Sequence, residues 1–311
     1  MPSDRDILPN RFARQRLAPA VLTAAFVLAG AADAATPGSQ AYYERSLMRA
    51  ADARCHLFTP QVGSALAAAQ AQARGAALRG GATNAGLRVV AAQAEAKQAA
   101  LACNSKDLAI ASARVKTAFD GYSHLIRMTF PGDDVPWQAD RTLPTRTTIW
   151  RLSQPTAAGS SPVIFGLAGD YAQPVRLTAV GDFGEDQAPY SAQLMIRDVS
   201  RAPEPYLQAV SVAAWARLPL TERAPPRSAV LAFTAEARED ADKTLLPKGS
   251  TSGVAFRFPA AAARALAGLD PREAVTLVFL MQDRSGARTR RAYVEVGDFA
   301  AGQAFLAAGG R

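Results

Sequence analysis

Cys55 stands next to His56 in a chain with one other cysteine, Cys103, and one other histidine, His124. Two thiolates and two imidazoles are a complete ligand set for tetrahedral zinc. A cysteine with a histidine is also the composition of an activated thiol nucleophile, and two cysteines alone suffice for a disulfide. Which chemistry applies depends on the elements that place these four side chains.

Residues 39–130 are alanine-rich, with apolar residues recurring about every 3.6 positions between capping sequences. A first helix is expected from about Gln40 to Phe58, with Leu47, Ala51, Cys55 and Phe58 on one stripe. Thr59-Pro60 reads as a cap followed by proline at the first helical position. The second helix it opens stops near Arg79 at Gly80-Gly81. Asn84 is expected to cap a third helix, through Leu101. Ser105 caps a fourth, which carries Leu108, Val115, Tyr122 and Ile126 inward until Phe130-Pro131-Gly132. Short connections make these an up-and-down bundle.

The bundle decides among the chemistries. If the second and third helices form an antiparallel hairpin, the start of one and the end of the other share one end of the bundle. Cys55 and Cys103 then meet across 48 residues of chain. A disulfide is expected, worth roughly 4 kcal/mol in the chain-entropy account. His124 lies nineteen residues beyond Ser105, roughly 28 Å along a helix rising 1.5 Å per residue, too far to complete a zinc site. Consecutive helical residues do not face a common point, so neither Cys55-His56 nor Ser123-His124 makes a nucleophile–base pair. No G-x-S-x-G elbow or glycine-rich phosphate loop occurs, and no metal or cofactor is expected.

Carboxylate pairs remain as acid–base candidates. They are Asp133 with Asp134, Asp182 with Glu185 and Asp186, and Glu239 with Asp240 and Asp242. All fall in predicted loops, where charge is ordinary, and none matches a calcium-binding loop.

From about Thr147 the pattern changes to short β-rich runs separated by Pro, Gly, Asp and Ser. Nine strands are expected: TTIWRLS, PVIFGLA, PVRLTAV, AQLMIRDV, YLQAVSVA, AVLAFTAEA, GVAFRFP, AVTLVFLMQ and RRAYVEVG. The last two form a hairpin through Asp283-Arg284-Ser285-Gly286, and a short helix spans about Ala260 to Leu269. The fold class expected is α+β in two domains. A helical bundle over 35–131 is joined by a linker over 132–146, containing Pro136 and Pro144, to a mainly antiparallel β-sandwich or open barrel over 147–311.

Residues 1–34 carry the order of a secretory signal: Arg11, Arg14 and Arg16, an apolar run from Leu17 to Ala32, and Ala32-Asp33-Ala34 as a cleavage site. Export to the periplasm or beyond is expected, with no stable transmembrane segment after cleavage near Ala34. That environment suits a disulfide and makes nucleic acid an improbable partner.

The basic excess is uneven. Residues 35–131 hold 11 Lys/Arg against 5 Asp/Glu, whereas residues 132–311 hold 20 against 19. Arg45, Arg49, Arg114 and Lys116 are a candidate anion-contact face for an anionic surface or an envelope protein. Trp137, Trp150, Trp215, Tyr171, Tyr190 and Tyr206 are candidates for a sugar-binding face, although Trp150 fits a core position better. The inventory leans away from an enzyme. It points to an exported, non-catalytic accessory or interaction protein of the cell envelope. A periplasmic binding module for an anionic or carbohydrate ligand is the alternative, and a carboxylate-dependent hydrolase comes third.

Overall fold

Helix caps act first in chain order. The computed structural model describes residues 37–142, 146–171, 174–184, 188–209, 212–215, 217–283 and 286–307. The expected export signal lies outside them. Helix α1 spans Pro37–Cys55 and α2 spans Pro60–Arg79. The Thr59 hydroxyl accepts the Val62 N–H, and Pro60 sits at N1 as anticipated. Gly81, at φ 98°, supplies the left-handed turn that ends α2. The Ala82 and Gly81 N–H groups donate to the carbonyls of Ala77 and Leu78, both at 3.0 Å, a Schellman closure.

Helix α3 spans Asn84–Ala99, and its cap is Thr83, one residue before the expected Asn84. That frees the Asn84 amide for tertiary bonds. Helix α4 spans Lys106–Ser123 under a Ser105 cap. It ends earlier than its apolar period suggests. Arg141 donates to the carbonyls of Tyr122 and Leu125 just past its end, and Arg127–Phe130 becomes strand β1, paired with β2 (Trp137–Asp140).

Helix α1 packs on α2 and α3, and α2 packs on α4. Met48, Ala51, Leu66 and Leu108 form their shared core, with Cys55 beside it. The Cys55–Cys103 disulfide is present. Arg54 donates to the carbonyls of Ala99 and Leu101 close by, holding the end of α1 to the end of α3. His56 and His124 are both exposed.

Two antiparallel sheets follow. The larger has the order β1-β2-β3-β4-β5-β9-β8, with β3 Ile149–Ala158, β4 Ser161–Gly169, β5 Arg176–Gly181, β8 Ala237–Asp240 and β9 Val254–Arg257. The smaller has the order β11-β10-β6-β7, with β6 Ser191–Arg197, β7 Val230–Thr234, β10 Ala274–Asp283 and β11 Gly286–Glu295. The expected hairpin of the last two strands is present, with Arg284 and Ser285 outside the described residues.

Two expected strands differ. YLQAVSVA instead forms a 3-10 turn, Tyr206–Ala209, and a short helix α5, Val212–Trp215. AVLAFTAEA is divided between the sheets. The Ala235 N–H bonds Ala192 O beside β6, and the next N–H, of Glu236, bonds Arg257 O beside β9, so the chain crosses from one sheet to the other at that step.

Helices α6 (Leu220–Arg223), α7 (Ala260–Ala267) and α8 (Phe299–Ala307) complete the fold. Helix α8 lies at the centre of the main core. Phe299 and Phe305 pack edge-on against Trp137 and Phe130, and α2 covers α8 with Ala68 and Ala71. Residues 35–311 form one compact unit, in which the helices and sheets share apolar packing. The expected linker stretch contains β2, and Trp137 within it is fully buried. No helix among the described residues is long and apolar enough to cross a membrane.

Candidate functional site

Two regions concentrate polar groups. The first is the seam where α2 and the segment before β2 meet the sandwich. Glu295, at the end of β11, is fully buried. Its carboxylate accepts the N–H groups of Asp133, Asp134 and Val135 at 2.6, 2.8 and 3.3 Å. Burial raises its pKa from the ordinary value to about 7, against the lowering by those N–H groups and with help from nearby Asp133. Gln154 ties the same loop to β11, donating to Val135 O at 2.7 Å and accepting the Glu295 N–H at 3.1 Å. Arg223 approaches from α6. It reaches Asp134 at 2.6 Å and Glu295 at 3.6 Å, and it lies over the Trp215 ring.

Beside these groups Arg79 holds Asp298 bidentately at 3.0 and 3.1 Å. Further along, Arg197 holds Glu273 through two bonds of 2.8 Å. Burial alone would lower the Arg197 pKa, but the Glu273 carboxylate outweighs it and the net shift is upward. Asp270 pairs with Arg272, accepts from Asn84 at 3.3 Å, and through Asn84 is linked to Arg74. The cavity beside Asp298 is only about 10 Å³. Asp133 and Asp134 do converge with a third carboxylate, Glu295, which is buried while the two aspartates are exposed.

The second region is a cleft of about 490 Å³ over the middle of the large sheet, between α7 and α8. Its floor is the cross-strand pair Leu167 and Leu177. Each helix contributes positions spaced i, i+3, i+4, which form one helical face. These are Ala260, Ala263 and Arg264 on α7, and Gln303, Leu306 and Ala307 on α8. Arg151 and Arg176 enter from β3 and β5.

Arg151 occupies this cleft because of a bulge. Trp150 pairs with Ala168 and Leu152 with Leu167, so Arg151 is an extra residue opposite no partner. Strict alternation would send Arg151 to the face opposite Leu152. With the bulge, it lines the same cleft as Leu167, while Trp150 turns outward to bond Leu245 O at 3.1 Å. Gly166 accommodates the close strand approach here, since a Cβ on it would lie 1.9 Å from Leu152 O.

The cleft cations are lightly engaged. Arg176 meets Glu236 at 3.7 Å with both side chains well exposed. Arg151 donates to the Thr142 carbonyl, and burial lowers its pKa. Arg264 makes no ion pair among the described residues. Asp170, a carboxylate at the rim, accepts the Thr148 hydroxyl at 2.9 Å. On its other side Arg264 borders a groove of about 370 Å³, where Arg74 is held by Asn84 and Leu269 O and Arg88 by Glu204.

The residues anticipated from sequence lie elsewhere. Arg45 is turned onto the Ala69 carbonyl at 2.9 Å and Arg49 onto Gln70 at 2.8 Å, both on α2. Arg114 and Lys116 are exposed on α4. Asp182 accepts the Gly184 N–H, whereas Glu185 and Asp186 lie outside the described residues. Glu239 pairs with Arg257 on the neighbouring strand. Of the aromatic candidates, Trp137 and Trp215 are buried, Trp150 is half-buried, and Tyr171, Tyr190 and Tyr206 are exposed. Among the described residues no group of three His, Cys, Asp or Glu side chains is placed to hold a metal ion. Arg151, Arg176 and Arg264 were not anticipated as a set. They come from three elements, and the only local signal is a lone charge in each of two apolar runs, IWRL and AAARALAG.

No protein-family model, no curated protein and no solved structure matches the chain.

Proposed function

We propose that this is an exported binding module of the cell envelope whose cleft takes an anionic ligand. The observation that carries the reading is that Arg151, Arg176 and Arg264 all line a cleft of about 490 Å³ with an apolar floor. An apolar pocket with a few convergent polar groups is the usual form of a small-ligand site. Guanidinium forks match carboxylate and phosphate geometry. Export is supported by the order of features in residues 1–34 and by the disulfide. The stapled N-terminal helices brace the sandwich through α2 and α8.

The test is a titration of the protein with butanoate and with methyl phosphate, following arginine Nε–H signals by nuclear magnetic resonance. Shifts confined to the three cleft arginines and reversed by salt support the reading. Shifts centred on Arg114, with none in the cleft, would move the anion site to the helical face. No arginine response at millimolar anion would end it.

A second reading, a non-catalytic accessory that docks on an envelope protein, draws on exposed Val89, Ile110, Leu125 and Ile126 of α3, α4 and the following turn. Cross-linking in living cells with identification of a stoichiometric partner tests it. Hydrolytic turnover lost on changing Asp133 or Glu295 would instead revive the third, carboxylate-dependent reading.

A further inference from the structure

The cleft is longer in apolar character than an inorganic anion needs. Register shows how it is graded. Arg176 opens β5 opposite Ala168, and Leu177 pairs with Leu167 one step further in. Arg151 lies beside the early part of β3, whose Ile149 and Trp150 pair with Gly169 and Ala168 at the end of β4. The sheet's cations and Asp170 therefore gather at one end, where β4 finishes and β5 begins. The leucine pair follows next along the strands.

The helical walls keep the trough open by being small. Ala260 and Ala263 on α7 and Ala307 on α8 stand where larger side chains would fill the space, and Leu306 adds an apolar wall. Tyr171, 81% exposed, stands on the loop between the end of β4 and the start of β5, beside this cationic end. A cleft of about 490 Å³ lies within the range of small-ligand sites.

Resting on the reading of the cleft as an anion site, we infer that its ligand is a single-chain amphiphile with an anionic head, an alkyl carboxylate or alkyl phosphate. The head meets the guanidiniums at the strand ends, and the chain lies over Leu167 and Leu177 between the α7 and α8 faces. Charge complementarity selects the head, and the row of small side chains admits the tail.

Isothermal titration below the micelle concentration tests this with alkyl carboxylates from butanoate to dodecanoate, alkyl phosphates of matching length, and the corresponding alcohols and alkylammonium ions. Affinity for the anions is expected to rise about fourfold per added methylene, from roughly 0.8 kcal/mol for each buried CH₂, and to level off once the cleft is filled. Alcohols and alkylammonium ions of equal length should bind at least tenfold more weakly. Arg264→Glu should lower dodecanoate affinity at least tenfold. Ala260→Trp, at an exposed position, should weaken dodecanoate binding at least tenfold more than butanoate binding.

Anion binding independent of tail length would overturn the amphiphile and leave the anion site standing. Alcohols binding as well as carboxylates, or no anion binding at all, would remove both. Chain-length-dependent binding untouched by Arg264→Glu and Ala260→Trp would place the ligand elsewhere and overturn the inference. Equal gains for carboxylates and phosphates leave the shared head chemistry intact, and a preference for one names the source.

Discussion

The seam and the cleft are built around the same side chain, arginine, and use it in opposite ways. In the seam, Arg79, Arg197 and Arg223 are held by the carboxylates of Asp298, Glu273 and Asp134, and Glu273 also accepts the Asp270 N–H. Little of that charge is left for a ligand. In the cleft, Arg151 has a carbonyl, Arg176 a loose exposed carboxylate, and Arg264 no ion pair among the described residues. An arginine count along the chain cannot separate the two cases. What separates them is whether a carboxylate arrives from another element within bonding distance.

The comparison breaks most visibly if a seam arginine is removed. Arg197→Met leaves Glu273 buried without its partner and is expected to cost about 3–5 kcal/mol, read as a lower urea midpoint. Arg197→Met with Glu273→Leu should recover most of that loss, because two apolar side chains need no charge compensation. A single variant as stable as the parent would show that the seam is not held by its ion pairs.

The Cys55–Cys103 staple comes next. Replacing both cysteines by serine should lower stability by roughly 4 kcal/mol and should not change ligand affinity in the cleft if the helices only brace the fold. Denaturant unfolding with and without reductant measures the first, and titration the second.

The third test is pH. Glu295 is raised to about 7 in the folded protein, so between its ordinary unfolded value and 7 the folded state holds a proton that the unfolded state has released. Stability from this group is therefore fully present at acid pH. It is lost as pH rises to about 7, with no further change above, by on the order of 3 kcal/mol at most. Asp140 and Asp198 are shifted downward, so their opposite contributions fall at lower pH. Glu295→Gln, which resembles the protonated form, should flatten unfolding free energy between pH 5 and 7. An unchanged slope would place the titrating group elsewhere.

The smallest effect sharpens the contrast. Arg264→Ala, on the exposed side of α7, should alter stability by less than about 0.5 kcal/mol in the same urea experiment. A loss as large as that of Arg197→Met would mean that the cleft arginines are structural too.

Local signals served well where the cause is local. Thr59-Pro60 and Ser105 cap helices as their sequences suggest, and Gly80-Gly81 ends one. The strand runs around Ile164, Val180 and Phe279 lie in sheets because their side chains suit the pleat. Other elements were not legible because a distant partner decides them. Arg127–Phe130 continues the apolar period of α4, yet β2 and the Arg141 side chain draw it into a strand. Helix α8 had a readable signal, Asp298 before an apolar run. It reads as a tail until α2, Trp137 and Phe130 are seen to enclose it.

The sequence by itself determined the α+β class, the Thr59 and Ser105 caps and the last β-hairpin from nearby residues; it also pointed to the cysteine pair, although α1 packing on α3, not the expected hairpin of the second and third helices, brings the two together. Only the tertiary structure decided which charges are consumed and which remain. Arg45 and Arg49 turn onto neutral acceptors of α2, whereas Arg151, Arg176 and Arg264, far apart in sequence, line one cleft. The physical reason is reach. A guanidinium is neutralised by a carboxylate that reaches bonding distance, about 3 Å, and that neighbour is set by the packing of whole elements, not by adjacent residues.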